Sequence, residues 1–158
     1  MRRKDREVTE VATIKQIVAQ CLVLRLAMTQ EDYPYIVPVN FGYEWSGEND
    51  LTLFIHGAKT GLKLALLAKN NKIGFEMDCG QQLLIDEKKQ SYSYAYQSII
   101  GTGEALILTD EKKKRAALQK IVTHYDPKKE VVIPSKALNA TAVIAIKVNS
   151  MTAKVHTP

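Results

Sequence analysis

Long apolar runs are missing from this 158-residue chain. The most apolar stretches, Leu22-Val23-Leu24 and Ala142-Val143-Ile144-Ala145-Ile146, stop at a charged residue far short of the roughly 20 residues a bilayer-spanning helix needs, so none is expected. The charged N-terminus, Met1-Arg2-Arg3-Lys4-Asp5-Arg6-Glu7, is not followed by the unbroken apolar core of a secretory signal, and a cytoplasmic location is expected. Cysteine is scarce. Cys21 and Cys79 are not part of any Cys-x-x-Cys pair, which favours reduced, structural thiols. His56, His124 and His156 are too widely spaced to suggest a zinc site, and no Gly-x-Ser-x-Gly elbow supports hydrolase chemistry. Internal repeats and Gly- or Pro-rich linkers are also lacking, so one domain over residues 1–158 is expected.

What is present is the usage of a globular protein, with 46% hydrophobic and 25% charged residues. Lys and Arg number 22 against 17 Asp and Glu, and the net charge of +5 makes nucleic acid, a membrane surface or a phosphate-bearing small molecule the partner classes to weigh. The basic runs Lys112-Lys113-Lys114-Arg115 and Lys128-Lys129 are interrupted by Asp110, Glu111 and Glu130 and carry no interleaved aromatic residues. They read as a solvated helix face and its following loop. Neither a nucleic-acid nor a membrane partner is expected.

Val11, Ile14, Val18 and Cys21 recur at helical spacing behind Thr9, which is available as an N-cap. Residues 22–29 then alternate as a strand. Residues 35–45 form a second β-rich run and 51–56 a third, separated by the turn Ser46-Gly47-Glu48-Asn49-Asp50. Leu62 to Lys69 are good helix formers, ended by Asn70-Asn71. Strand character returns at 73–77, at 92–108 and at 142–148. Between the last two, Asp110 caps a helix carrying Ala117, Leu118, Ile121, Val122 and Tyr125. Short hairpins and few helices predict a mainly β protein, an antiparallel barrel closed or nearly closed, with helices packed outside it.

The segment 54–63 carries the most chemistry. A strand ends at His56, Gly57 and Gly61 bracket a loop with Lys59 and Thr60, and a helix opens with Lys63. Unsatisfied N–H groups at a helix start, glycines that let a ligand approach, and lysine charge together make an anion seat. The ordinary alternative is a loop turned by Gly57 and capped by Thr60. Gly57-x-x-x-Gly61-x-Lys63 is not a phosphate loop of the Gly-Lys-Ser/Thr kind, and Gly101-Thr102-Gly103 lacks a third glycine for a dinucleotide fingerprint. The latter pair marks a bulge or a close approach to the strand. Tyr92, Tyr94 and Tyr96 share one strand face, suited to a planar ligand, a subunit interface or, by default, half-buried packing. Pro38 deletes a ladder donor and places the run 35–43 at an edge or a bulge.

Taken in order, the charged segment 1–7, the run Tyr35-Ile36-Val37-Pro38-Val39-Asn40-Phe41-Gly42-Tyr43, then Leu53-Phe54-Ile55-His56-Gly57-Ala58 with Gly61 and Lys63, then Ile73-Gly74-Phe75-Glu76-Met77-Asp78 and Ser98-Ile99-Ile100-Gly101-Thr102-Gly103-Glu104-Ala105 resemble the pyridoxamine 5′-phosphate oxidase-like flavin-binding superfamily. Within it they are most similar to the nitroimidazole-resistance proteins. The resemblance implies an FMN-binding split β-barrel that forms a homodimer, with FMN in the cleft between protomers. It assigns the phosphate to Gly61, Leu62 and Lys63 with neighbouring Ala58, and the ring's polar edge to the backbone of Pro38, Val39, Asn40 and Phe41. Ser98 matches a position facing the cofactor, and His56 matches a histidine at the flavin that is the catalytic candidate, its other reading being a strand-end histidine bonded to the backbone. The tyrosine-rich stretch 92–96 and the segment after Tyr125 match no family motif. The implied activity is reduction of nitroaromatic or related small molecules; a flavin-binding module without turnover, and a heme- or nucleotide-binding protein, are the alternatives.

Overall fold

The computed structural model describes residues 3–157; Met1, Arg2 and Pro158, part of the segments read above, lie outside the described residues. A 3-10 turn at Lys4–Arg6 leads into β1 (Glu7–Val8), α1 (Val11–Gln20), β2 (Leu24–Gln30), β3 (Tyr33–Val39), β4 (Phe41–Trp45) and β5 (Leu51–Ala58). Then follow α2 (Leu62–Lys69), β6 (Lys72–Asp86), β7 (Ser91–Ile107), α3 (Glu111–Tyr125), α4 (Ser135–Ala140) and β8 (Thr141–His156). The strands form one antiparallel sheet in the order β3-β2-β6-β7-β8-β5-β4, with β1 paired to β8 off this path.

That order explains the shape. β3 and β4 are the two ends of the sheet, yet only Asn40 separates them in the chain, because Val39 pairs with Leu24 on β2 while Phe41 pairs with Ile55 on β5. The sheet must therefore curl until its edges meet at Asn40. β3 and β4 do not pair, so the barrel is split rather than closed, and the single run expected over 35–45 is two strands. Pro34 and Pro38 both lie on β3, an edge strand, where a missing N–H costs no ladder bond.

Alternate residues of β2, β5, β6 and β8 point inward and join one core: Leu24, Leu26, Leu53, Ile55, Phe75, Met77, Ile144 and Ile146, closed by Ile17 and Val18 of α1 and Leu66 and Leu67 of α2. Each such side chain contributes about 1.5–3 kcal/mol on burial. On the outside, α3 packs over β4 and β5 through Ala117 and Ile121 against Phe54 and Val143. The Asp110 carboxylate accepts the Lys113 N–H at 2.8 Å, as the capping pattern requires. β7 shifts register between Thr102 and Gly103, and a side chain at Gly101 would strike the Phe75 ring, so both expected roles of this glycine pair are present.

Several local expectations are corrected. The N-cap of α1 is Glu10, not Thr9, and the Glu10 carboxylate accepts the Thr13 hydroxyl instead of a backbone N–H. β2 starts at Leu24, because Leu22 and Val23 are exposed and the Leu22 carbonyl is taken by a side chain from α3. α4 was not expected; six residues are too few to show a helical period. The basic run on α3 divides by face. Lys112 and Lys113 are exposed, but Lys114 is buried and donates to the Leu138 carbonyl at 2.6 Å, while Arg115 bonds the Ser135 hydroxyl at 3.1 Å and Glu111 at 2.7 Å.

Tyr125, the last residue of α3, holds the split edge in place. Its hydroxyl accepts the Phe41 N–H at 3.1 Å and donates to the Leu22 carbonyl at 2.7 Å, joining the first residue of β4 to the chain entering β2. A side chain thus does at this corner what a ladder would do in a closed barrel. Tyr125→Phe leaves the Phe41 N–H and the Leu22 carbonyl without this partner and is expected to cost about 1–3 kcal/mol. Urea unfolding at constant slope measures it, and an unchanged midpoint would show that the hydroxyl carries no weight.

Candidate functional site

On β5, Leu51, Leu53 and Ile55 face the core, so Phe54 and His56 face outward. α3 covers Phe54 but not His56, which is exposed two residues further along. α2 then begins one short loop away. Its N-cap is Gly61 at φ 130°, a backbone region that disfavours side chains, and no side chain caps the helix. Thr60 is therefore not the cap. The first turn contains no acidic residue, so its outward N–H groups keep their partial positive charge.

Lys63 folds back from that first turn over β5. A Cβ built on Gly57 would stand 3.2 Å from the Lys63 Nζ, so the glycine leaves the room that the ammonium occupies. Partial burial holds the Lys63 amine below its ordinary value. Desolvation first, and then the nearby Lys63 charge, hold the His56 imidazole below its own. At neutral pH the corner presents a neutral imidazole beside an ammonium and an uncapped helix start. This arrangement can seat an anion and place a hydrogen-bond donor or acceptor next to it.

The sequence-predicted residues fall into two groups. Phe41 pairs with Ile55, so Asn40 and His56 each stand one residue past that last ladder pair, and Ala58, Gly61, Leu62 and Lys63 follow His56 through the loop into α2. Pro38 and Asn40 are exposed. Val39 is half-buried, Phe41 is fully buried, and the Phe41 N–H is engaged by Tyr125, which corrects the expectation that its backbone is free for a ligand. Ser98 stands apart. It pairs with Asp78 and Lys154, whereas His56 pairs with Val143, and the stretch of β8 between those two partners spans up to about 36 Å of extended chain.

Sequence reasoning missed three contributors. Tyr125 appeared only as part of an apolar helix face. The His124 Nε2–H donates to the Cys21 carbonyl at 2.7 Å, and the ring packs against Phe41 with centroids 4.7 Å apart. Arg25, paired with Pro38 across β2 and β3, bridges Glu76 at 2.8 Å and also Asp78. The partners lie tens of residues away in the chain, so no local pattern announces them.

Burial also holds His124 low, with its bond to Cys21 opposing. Two histidines depressed in the folded state mean that the unfolded chain binds more protons near pH 6. Their contribution to stability is present above about 6.5, the unfolded value, and is lost as pH falls through the lower folded values. The urea midpoint is expected to fall between about pH 7 and 5, and to fall less in His124→Gln. A midpoint that rises on acidification contradicts the assignment.

The unclosed antiparallel sheet with helices packed outside it is a split-barrel architecture. The family model described as pyridoxamine 5′-phosphate oxidase matches residues 10–155, and the chain belongs to that family. Among curated proteins no relative matches. Of solved structures, a protein from Bacteroides thetaiotaomicron put forward as a 5-nitroimidazole antibiotic resistance protein superposes with a TM-score of 0.83 at 29% identity, over 94% of this chain and 86% of that one. The flavocytochrome Anf3 from Azotobacter vinelandii follows with TM-score 0.81, 20% identity and coverage of 100% and 72%. An FAD and heme binding protein from Mycobacterium smegmatis gives 0.83, 18%, and 97% and 74%. Binding of flavins is a property of this family. No helix among the described residues is long and apolar enough to cross a membrane.

Proposed function

We propose that the protein binds FMN at the His56–Lys63 corner and uses it to reduce nitroaromatic or similarly electron-poor small molecules, as a homodimer. The observation that carries the reading is the uncapped, acid-free start of α2 with the Lys63 ammonium folded over Gly57, a seat fitted to a phosphate. The likeness to the Bacteroides protein supports the substrate class. Gly61, Leu62 and Lys63 would hold the phosphate, and Pro38 and Asn40 border the ring position. FMN supplies the electron transfer when bound. The chain's own part is to orient, to exclude water and to offer the His56 imidazole, neutral at pH 7, as a hydrogen-bond donor and a hydrogen-bond or proton acceptor at the ring or substrate.

The dimer is supported by two features of a single chain. Leu83 pairs with Tyr94 and Ile85 with Tyr92, and all four are exposed on one face of the β6–β7 hairpin, continuing to Ile100. Half-buried packing within one protomer therefore accounts for Tyr96, which packs against His156, but not for Tyr92 and Tyr94. Ser98, remote from His56 in its own chain, lies on this same outward face, where a second copy can bring it to the site.

The purified protein is expected to show flavin absorbance bands and to sediment as a dimer at micromolar concentration. After anaerobic reduction, a nitroaromatic acceptor should reoxidise it. His56→Ala should keep most of the FMN affinity while slowing that step. A Soret band, or a monomer that binds FMN tightly, contradicts the reading; flavin bands without acceptor turnover reduce it to a binding module.

A further inference from the structure

The loop that seats the proposed phosphate also opens onto a second space. A groove of about 720 Å³ runs from Lys59–Gly61 along the outer face of α2 to α4 and the first residues of β8. Its size suits a small organic ligand. The floor is apolar, with Leu64, Ala65 and Ala68, and the far wall is polar, with Asn139 and Thr141. The groove is continuous with the corner through the ladder itself, because Ala58 pairs with Thr141 and Gly57 with Ala142.

Its distinguishing residue is Lys114. The residue is only 7% exposed, yet it lines the groove. The ammonium donates to the Leu138 carbonyl at 2.6 Å, which leaves two of its three N–H donors, and it takes part in none of the ion pairs among the described residues. A buried cation facing one carbonyl is expensive unless an anion completes its shell. Lys59, on the same groove at the mouth of the anion seat, adds a second positive charge.

We propose that this groove binds a nucleoside phosphate, its phosphate between Lys114 and Lys59 and its base lying over Leu64, Ala65 and Ala68. The shared chemistry is an adenylate, carried either as the tail of a flavin dinucleotide or as that of a nicotinamide dinucleotide that delivers electrons. The dinucleotide form rests on the flavin reading above; the groove itself does not.

The probe is 5′-AMP, titrated calorimetrically into the full chain. Saturable binding is expected, weakened at least tenfold by Lys114→Met. Because Lys114 also tethers α4, Ala68→Trp is the second variant: it fills the floor from an exposed helix position and should weaken AMP equally, with FMN affinity unchanged in both. If the adenylate belongs to a flavin dinucleotide, FAD binds more tightly than FMN in the parent protein and loses that margin in both variants. If it belongs to the reductant, FAD has no margin and NADPH displaces AMP. Failure of AMP to bind at millimolar concentration, or binding that neither variant weakens, overturns the groove assignment even with FMN bound normally. AMP binding without FMN binding overturns the flavin reading and leaves the groove standing.

Discussion

Gly42→Ala is expected to destabilise the fold by about 3 kcal/mol, the upper part of the range for overpacking. A Cβ at this position would lie 2.4 Å from the Ile121 nitrogen, 2.5 Å from the Lys120 carbonyl carbon and 2.7 Å from the Ile121 Cα. All three are backbone atoms of α3, and Gly42 is itself locked into the sheet opposite Phe54. Neither side can yield by a side-chain rotation, so the helix must withdraw. Withdrawal opens the cluster of Phe54, Ala117, Ile121 and Val143, stretches the Lys120–Glu44 ion pair of 2.7 Å, and pulls Tyr125 away from Phe41. The same substitution at Gly57 meets only the flexible end of Lys63 and should cost far less. Denaturant unfolding of the two variants tests the contrast; a Gly42→Ala midpoint equal to that of Gly57→Ala would mean that α3 does not sit on the strand.

The second large effect concerns ligand discrimination. Lys63→Ala should weaken FMN by ten- to a hundredfold and riboflavin, which has no phosphate, by much less. A hydrogen bond to a charged group contributes about 1.5–3 kcal/mol, and each 1.4 kcal/mol is a factor of ten. The margin should shrink as salt screens the pair. Its pH dependence follows from the depressed Lys63 amine: a bound phosphate favours the ammonium and so raises its pKa relative to the free protein. The preference for FMN is therefore full at pH values below the free-protein pKa and is lost as pH rises through the pKa of the complex. Flavin-fluorescence titration against pH reads it directly. Equal losses for FMN and riboflavin would remove Lys63 from the phosphate and leave the helix start alone as the seat.

Local patterns were sufficient for much of the fold. Alternating Leu51, Leu53 and Ile55, the good helix formers of α2 with Asn70 behind them, and Asp110 before α3 each act over a few residues, where covalent geometry and short-range hydrogen bonds decide the outcome. Pro38 announced an edge by the donor it lacks, and the glycines of residues 101–103 announced a bulge by the side chains they lack. The segment from His56 to Lys63 was legible as a candidate site for the same reason, since strand end, loop and helix start are consecutive in the chain.

Only the tertiary structure decided that Val39 and Phe41 stand at opposite ends of one sheet, because that depends on which distant strands each finds as a partner. The Tyr125 hydroxyl spans the resulting split, and its bond to Phe41 closes a backbone donor that the chain alone left open to a ligand. Lys114 shows the same limit from the other side. In the sequence it is one of four consecutive basic residues, and its burial follows from where α4 docks, a contact made across 24 positions of chain. Charge and periodicity are written locally, but whether a charge reaches water is settled by what packs over it.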